Sequence, residues 1–485
     1  MMLWNHQVSP ACLLFIIVLF VVATTSAAQL VTMPRIFFDE ATTIEIARNV
    51  QLFGVPDVLT APGQFSGIPF ITGSSGFPVS FPLAAFFKLF GFGFAQARIY
   101  ALLWLLAFFV VAWFFVKSFW NAPYATAAIA LIAGFASLHD SGRRVMGDIP
   151  GFSLLLLGLL LLLKKNKPYI SGVFFGLAVA AKPSVYLLVI PALILMYSIG
   201  DLRSAFRKLL PIGIGAIAPI GAWIILQFPH PFQISTWQQV FSFYQNAFGS
   251  VYSPWVSIAR NMQSFFSQTT LIYFSILALP TLFAFRDKLV KRNPLTLFIF
   301  IYGILDFLYF LKSPGTIRYL LPLQLWILIL LPITTAFLLG KIQFFDAMPR
   351  KISLRYLWFT VIGGLSALHL VQFLFFSNVV VNNTAHLQTL KFLNRYTTEI
   401  IGVISSPHIA AFLHPERKLH YIRETDQIIF GTNPLDLPIS QLPDVLVIPK
   451  GYEQGNPLSP SQTEQLRRYS MALDGKWQIY TRNDR

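Results

Sequence analysis

The sequence predicts a polytopic α-helical membrane protein with a small extracytoplasmic α/β domain at its C-terminal end. Of its 485 residues, 55% are hydrophobic and only 12% are charged, whereas soluble domains carry roughly 25% charged residues. Apolar runs suited to spanning helices recur between residues 11 and 376, and later runs are short. We therefore exclude a water-soluble fold and predict a membrane domain at 1–376 and a soluble domain at 377–485.

The apolar runs predict about eleven transmembrane helices. Lysines and arginines of short loops concentrate on the cytoplasmic side of membrane proteins. Here one set of short loops holds fifteen of these residues and the opposite set holds five. We therefore expect a multi-pass protein of the plasma or inner membrane with a cytoplasmic N-terminus and an extracytoplasmic C-terminus. The predicted spans are 11–31, 98–116, 122–138, 150–163, 168–181, 184–199, 209–228, 269–285, 294–311, 317–339 and 356–376.

Residues 11–31 also fit a cleaved signal peptide, since small residues at 23–28 follow the apolar core. The segment before that core contains no lysine or arginine, and the chain continues as a membrane protein. We favour a membrane anchor at this position.

Residues 78–94 are apolar, yet a span here would invert the orientation of every later loop. Pro78, Pro82, Gly91 and Gly93 interrupt the run, which is typical of a short interfacial or re-entrant helix. We expect such a helix in the first external loop, and the alternative is an ordinary span.

Two external loops are long, at 32–97 and 229–268, and long loops commonly carry function. The second contains aromatic residues that suit either an interfacial belt or sugar stacking, and the sequence leaves both readings open. They are Trp237, Tyr244, Tyr252 and Trp255.

The C-terminal segment alternates short apolar runs with polar stretches. The patterns predict strands at 400–405, 444–449 and 477–482 and a helix at 459–473. This arrangement is typical of a small α/β domain.

The net charge of +16 does not indicate nucleic-acid binding, because the basic residues lie between apolar runs. Cys12 is the only cysteine, so an intramolecular disulfide is impossible. Membrane topology accounts for the excess of basic residues.

Two adjacent acids follow the first span directly. Asp39 and Glu40 lie where a helical pattern predicts an interfacial helix. A carboxylate at the membrane surface can accept a proton from a hydroxyl acceptor. Stabilisation of the helix N-terminus is the alternative role.

A second cluster lies in the short loop at 138–150. It contains His139, Asp140, Arg143, Arg144 and Asp148. Charged groups near hydrocarbon are costly, so this loop is either functional or held by ion pairs. Arginine is suited to binding phosphate. A divalent metal held by His139, Asp140 or Asp148 is a weak alternative, because no tight ligand spacing occurs.

Lys182 and Arg318 lie at the external ends of predicted spans. Together they could form a cationic pocket for a lipid phosphate, or they could extend separately toward membrane lipid headgroups.

The order of these motifs resembles the membrane-embedded GT-C glycosyltransferases, in particular the group of protein O-mannosyltransferases and the aminoarabinose transferase. One span is followed by an acidic pair at Asp39 and Glu40. A proline-led segment (FPLAAFFKLFG) and an arginine-led span (ARIY) come next. MGDIPGFSLLLLGLLLLL matches the second acidic position at Asp148, and GLAVAAKPSVYLLVIPALIL and RYLLPLQLWILILLP resemble later segments.

The resemblance implies an inverting transfer of sugar from a polyprenyl-phosphate donor to a lipid, polysaccharide or protein acceptor. Asp39 would be the general base, and Glu40 and Asp148 would orient the acceptor or bind a metal. The cationic candidates for the leaving lipid phosphate are Arg143, Arg144, Lys182 and Arg318.

Two other classes remain. A transporter or flippase of lipid-linked sugars would depend on ionisable groups within the membrane, of which Asp306 is one. A noncatalytic assembly protein would depend on residues 377–485.

Overall fold

The computed structural model describes residues 9–74, 76–198, 202–245, 253–285, 293–341, 350–379, 383–423 and 429–483. The first of these ranges begins with a long apolar helix, α1 (Pro10–Ala28), followed by α2 (Phe38–Phe53). A small hairpin, β1 (Leu59–Ala61) and β2 (Gln64–Phe65), leads to α3 (Pro69–Thr72).

The remaining helices of the predicted membrane domain follow in chain order. They are α4 (Phe77–Phe90), α5 (Phe94–Phe119), α6 (Ala122–Ala133), α7 (Ala136–Gly142), α8 (Asp148–Leu163), α9 (Pro168–Ala181), α10 (Pro183–Tyr186), α11 (Val189–Ser198), α12 (Leu202–Gln227), α13 (Ile234–Gln245), α14 (Pro254–Ser267), α15 (Thr269–Phe285), α16 (Pro294–Lys312), α17 (Leu321–Lys341) and α18 (Arg350–Val379). A short 3-10 turn, Ile317–Leu320, leads directly into α17.

Each predicted span overlaps one helix or two consecutive helices, and the number of eleven spans stays a prediction. Within the described residues, six helices are long and apolar enough to cross a membrane, or eight if each of two bent pairs forms one span. The predicted continuous span at 122–138 is wrong in detail, because α6 and α7 meet at an angle of 77°. Gly134 ends α6 at this bend and lies against α18, where an added Cβ would be 2.6 Å from the backbone nitrogen of Leu370.

The segment between α1 and α5 contains both helices that the sequence predicts there. α2 begins one residue before Asp39, and Asp39 and Glu40 occupy its first turn. α4 is only 14 residues long and ends at Gly91, whose φ of 83° favours glycine. The predicted interruption at Gly91 is confirmed, whereas Pro82 lies inside α4 and does not end it. The depth of both helices in the membrane stays a prediction.

The long segment between α12 and α15 contains α13 and α14. Trp255 is 79% exposed on α14, whereas the ring of Trp237 stacks on Phe228 at a centroid distance of 5.0 Å. Tyr252 lies outside the described residues. The loop is therefore helical on both sides of residues 246–252.

The C-terminal segment is a six-stranded mixed sheet with short helices. Its strand order is β5-β4-β3-β6-β8-β7, and β4, β3 and β6 are parallel. The predicted helix at 459–473 is wrong in its second half, because residues 469–473 pair with the last strand and bury Tyr469. The elements are α19 (Thr384–Leu393), β3 (Ile401–Ile404), α20 (Pro407–Ala410), β4 (Lys418–Arg423), β5 (Ile429–Phe430), β6 (Val445–Pro449), α21 (Tyr452–Gly455), α22 (Pro460–Leu466), β7 (Tyr469–Leu473) and β8 (Trp477–Arg482).

The C-terminal sheet is fastened to α2. The ammonium of Lys418 on β4 donates to the Glu45 carboxylate, and both side chains are 2% exposed. The Leu59 amide donates to the same carboxylate oxygen at 2.8 Å. Arg48, one turn further along α2, donates to the carbonyl of Leu413 at 2.5 Å.

A second attachment lies just before α2. The Asn383 side chain accepts from the Ile36 amide at 2.7 Å and donates to the Pro34 carbonyl at 2.8 Å. Residues 31–36 therefore have a fixed path into α2. The position of Asp39 depends on both attachments.

Asp306, on which the transport alternative depends, is buried in α16. Its carboxylate accepts from the Leu323 amide in the first turn of α17 at 3.2 Å. The carboxylate thus accepts a hydrogen bond from a backbone amide in the first turn of α17, where amides have no partner within the helix. This is a structural role.

We predict that Lys418→Ala lowers the free energy of unfolding of the C-terminal domain by about 3 kcal/mol, because it leaves Glu45 buried without its cation. Limited proteolysis and thermal unfolding of the full chain in detergent measure this change.

Lys450→Ala is the matched control, since Lys450 is 60% exposed in its pair with Asp474 and exposed pairs contribute less than about 1 kcal/mol. Equal stability of the two variants would contradict this role of Lys418.

Candidate functional site

Three charged side chains from distant parts of the chain meet beside the start of α2. Asp39 Oδ2 lies 2.5 Å from Arg318 Nη2 and 3.6 Å from Lys182 Nζ. The cations are 8% and 5% exposed, whereas the Asp39 side chain is 30% exposed. The carboxylate is therefore accessible and its two cationic partners are nearly enclosed.

The charge of this cluster decides how Asp39 ionises. Burial raises the pKa of the Asp39 carboxyl, but the charges of Arg318 and Lys182 outweigh burial and lower the pKa to about 2. Asp39 is consequently a carboxylate at neutral pH. While it holds both cations it is also a weak base.

Asp148 is brought to the same place by the start of α8. It is 4% exposed, and its charge interacts with Arg318. Within the described residues, Oδ2 of Asp148 has no hydrogen-bond donor. The structure thus brings Asp148 into the field of Arg318 without pairing the two side chains.

Gly147 makes this placement possible. A Cβ at this residue would lie 1.9 Å from the carbonyl oxygen of Ala181, the last residue of α9. Lys182 follows Ala181 directly. The close contact therefore holds Asp148 and Lys182 beside each other, and any larger side chain would separate them.

Two aromatic groups border the cluster. The Arg318 guanidinium lies over the Phe37 ring, with 4.8 Å from Cζ to the centroid. Tyr244 on α13 lies near Asp39, and burial together with the charges of Tyr319 and Asp39 raises the Tyr244 pKa. The segment between α12 and α15 thus reaches the site through Tyr244, one of the four aromatic residues named from the sequence.

Glu40 is placed differently from Asp39. Its fully buried carboxylate forms an ion pair with Arg98, whose Nη2 donates to Oε2 at 2.8 Å and whose Nε lies 2.6 Å from Oε1. It also accepts from the Val145 amide at 3.2 Å. Glu40 therefore connects α2 to α5 and to the 143–147 turn, and its carboxylate does not face Asp39's cations.

The second sequence cluster divides into two groups. Arg143 turns inward, donates to the His139 carbonyl at 3.1 Å and is 3% exposed. Arg144 pairs with Asp140 at 2.8 Å and donates to the Arg35 carbonyl at 3.2 Å. Neither arginine forms an ion pair with Asp39 or Asp148 among the described residues.

The structure does not assemble the predicted metal ligands. His139 contacts the Ser26 hydroxyl at 3.3 Å and the Ala133 carbonyl at 2.5 Å, so both of its ring nitrogens are occupied. Asp140 is 47% exposed and pairs with Arg144. Across the described part of the chain, no three His, Cys, Asp or Glu side chains converge as a metal site.

Two cavities adjoin the site. A cleft of ≈ 440 Å³ opens beside Asp39 and is lined also by Arg35, Phe37, Arg144 and His408. An apolar cavity of ≈ 310 Å³ lies among α14, α15, α16 and α17, and one of its lining residues is Leu320, two residues after Arg318. Sequence reasoning missed Arg35, Phe37 and His408, because single residues in a loop and in a remote domain carry no pattern.

The fold and the site can be compared with known proteins. Residues 76–225 match the family model of dolichyl-phosphate-mannose-protein mannosyltransferase. The chain is similar to ArnT from Cupriavidus metallidurans, solved with undecaprenyl phosphate, with a TM-score of 0.62 at 13% identity over 96% of this chain and 97% of ArnT. No curated protein matches the chain significantly in sequence.

The chain is also similar to an oligosaccharyltransferase from Archaeoglobus fulgidus, solved with a tethered acceptor peptide. The TM-score is 0.56 at 12% identity, over 94% of this chain and 72% of the other. The predicted resemblance to the GT-C membrane glycosyltransferases is thereby confirmed. The protein is a multi-pass integral membrane protein with that fold.

We predict that Gly147→Ala lowers the free energy of unfolding by about 1–3 kcal/mol, as overpacking does, because the new methyl group collides with the Ala181 carbonyl. Thermal unfolding in detergent measures this change in stability.

Gly213→Ala serves as the control, since a Cβ at Gly213 meets nothing within 4 Å. If Gly147→Ala were as stable as this control, the close contact would not hold the site together.

Proposed function

We propose that this chain is an inverting glycosyltransferase that moves a sugar from a polyprenyl-phosphate donor to an acceptor at the extracytoplasmic membrane face. The observation that carries the proposal is the meeting of Asp39 with Lys182 and Arg318. It combines an accessible carboxylate with two nearly enclosed cations, which are the groups that such a transfer requires.

Lys182 and Arg318 are the proposed phosphate site. Arginine binds phosphate with paired donors and lysine adds a point charge. The apolar cavity that Leu320 lines lies among neighbouring apolar helices, and it is the proposed site of the isoprenoid tail. ArnT was solved with undecaprenyl phosphate, and the Archaeoglobus fulgidus oligosaccharyltransferase, AglB, was solved with a dolichol-phosphate. Both observations support a donor of this class.

The proposed reaction is one displacement at the anomeric carbon. The acceptor oxygen forms a bond to that carbon while the bond from the carbon to the lipid phosphate oxygen breaks. The electron pair leaves with the phosphate, where Lys182 and Arg318 stabilise the added charge. The hydroxyl proton passes to Asp39, and a single displacement inverts the configuration.

Donor binding makes Asp39 a better base. The lipid phosphate competes with Asp39 for Arg318 and Lys182, so the carboxylate loses part of the positive charge that lowers its pKa. Asp39 thus gains basicity only when a donor is present. Asp148, whose charge interacts with that of Arg318 and whose Oδ2 has no hydrogen-bond donor among the described residues, is the proposed second carboxylate that orients the acceptor hydroxyl.

The other candidate residues take supporting roles in this proposal. The Glu40–Arg98 ion pair holds α2 against α5. Arg143 stabilises the start of the 143–147 turn by donating to the His139 carbonyl. We assign no step to a metal, because the described residues offer no cluster of ligands for one.

We expect Asp39→Asn to reduce transfer at least about 100-fold, the effect of losing a general base. Purified full-length protein is incubated with a panel of polyprenyl-phosphate sugars and membrane extract as acceptor, and the released lipid phosphate is measured.

Asp474→Asn, the same change at an exposed residue of the C-terminal domain, should leave release unchanged. Unchanged release by Asp39→Asn would remove Asp39 from the role of base.

The pH dependence should differ between the free and the donor-bound protein. The acidic limb of kcat/KM for the donor reports the free protein, where the Asp39 pKa is about 2, while kcat reports the bound state. Activity falls as Asp39 becomes protonated, so we expect the acidic limb of kcat at a higher pH than that of kcat/KM. Coincident limbs would contradict activation by the donor.

A further inference from the structure

The cleft beside Asp39 is built from three parts of the chain. Arg35 and Phe37 come from the segment before α2, Arg144 from the turn after α7, and His408 from α20 of the C-terminal sheet domain. Its volume of ≈ 440 Å³ suits a headgroup or a short saccharide segment. It is therefore a site for a small group or for the end of a larger molecule.

The cleft lining contains two arginines, Arg35 and Arg144, and one carboxylate, Asp39, among apolar residues and His408. Arg35 is exposed into it, and Arg144 is 11% exposed. Asp140 pairs with Arg144 and offsets part of its charge, but Asp140 is not among the lining residues. Burial, with the nearby charges of His386 and Arg35, lowers the His408 pKa to about 4, so His408 is neutral at pH 7 and can still donate a hydrogen bond.

The cleft is distinct from the proposed phosphate site of the donor. Lys182 and Arg318 do not line it. The Phe37 ring lies beside one arginine of each site. Its centroid is 5.4 Å from Cζ of Arg144 in the cleft and 4.8 Å from Cζ of Arg318 in the proposed phosphate site. Phe37 thus marks the boundary between two cationic sites that share access to Asp39.

We propose that this cleft binds the acceptor, and that the acceptor carries a phosphate or carboxylate group that Arg35 and Arg144 hold while a neighbouring hydroxyl faces Asp39. This inference rests on the proposed glycosyltransferase function. It makes the C-terminal domain part of the acceptor site through His408.

The charge balance favours an anionic acceptor over a neutral one. Asp140 already pairs with Arg144, so with a neutral glycan Arg35 would have no anionic partner among the described residues. An anionic group supplies that partner and adds to the pairing of Arg144, and charge-assisted hydrogen bonds are about twice as strong as neutral ones. The donor phosphate cannot serve this purpose while Lys182 and Arg318 hold it.

The test compares acceptors and variants in the full-length protein. Transfer from a polyprenyl-phosphate sugar is measured to phosphorylated glycolipid in vesicles, to soluble phosphorylated or carboxylated oligosaccharides, and to their neutral counterparts. We expect transfer to anionic acceptors only, and the vesicle and soluble arms tell a lipid-borne acceptor from a free one.

Arg35→Ala should raise KM for the anionic acceptor at least about 10-fold, the effect of losing one charged hydrogen bond, with kcat and the Kd for polyprenyl phosphate unchanged. Arg35→Lys should restore part of the affinity. Arg35 is exposed, so its loss does not endanger folding as loss of Arg144 would. Arg467→Ala, at an exposed arginine of the C-terminal domain, is the control.

The outcomes separate this inference from the function on which it rests. If wild type transfers sugar equally well to neutral acceptors, or if Arg35→Ala keeps its KM, the anionic acceptor site is wrong and the transferase stands. If wild type releases no lipid phosphate with any donor and any acceptor, the transferase itself is wrong.

Discussion

The charge cluster of Asp39, Lys182 and Arg318 is the constraint on which the rest of the structure depends. Two cations that are 5% and 8% exposed need a partner, because uncompensated charge next to hydrocarbon is costly. Asp39 provides that partner and keeps part of its own surface open. The arrangement is stable without a substrate, and a phosphate can enter it by taking over the same two cations.

The surrounding contacts keep this cluster in place from several directions. The Glu40–Arg98 pair fixes the first turn of α2 against α5, and the Gly147–Ala181 contact fixes Asp148 beside Lys182. Asn383 and Lys418 fasten the C-terminal domain to the segments on both sides of Asp39. The C-terminal domain is thus a support for α2 as well as a wall of the cleft.

The sequence was sufficient to predict what depends on composition and local pattern. It predicted the apolar spans, the helix that begins near Asp39, a short helix within 78–94, and three C-terminal strands. It also selected Asp39 and Asp148, because acidic residues are scarce in this chain, and Lys182 and Arg318, because the predicted topology places them on the same side of the membrane. The sequence could not predict long-range contacts, because no local pattern shows that Glu40 pairs with Arg98, that Arg143 turns away from the site, or that His408 lines the cleft. The second half of the predicted helix at 459–473 failed because pairing with β8 outweighs local helical preference.

A structure of the protein bound to polyprenyl phosphate tests the central claim most directly. The account predicts the phosphate within hydrogen-bond distance, about 3 Å, of Lys182 and Arg318, with the isoprenoid tail leading toward Leu320 and Asp39 displaced from Arg318. A phosphate bound elsewhere, with the contact between Asp39 and Arg318 intact, would contradict it.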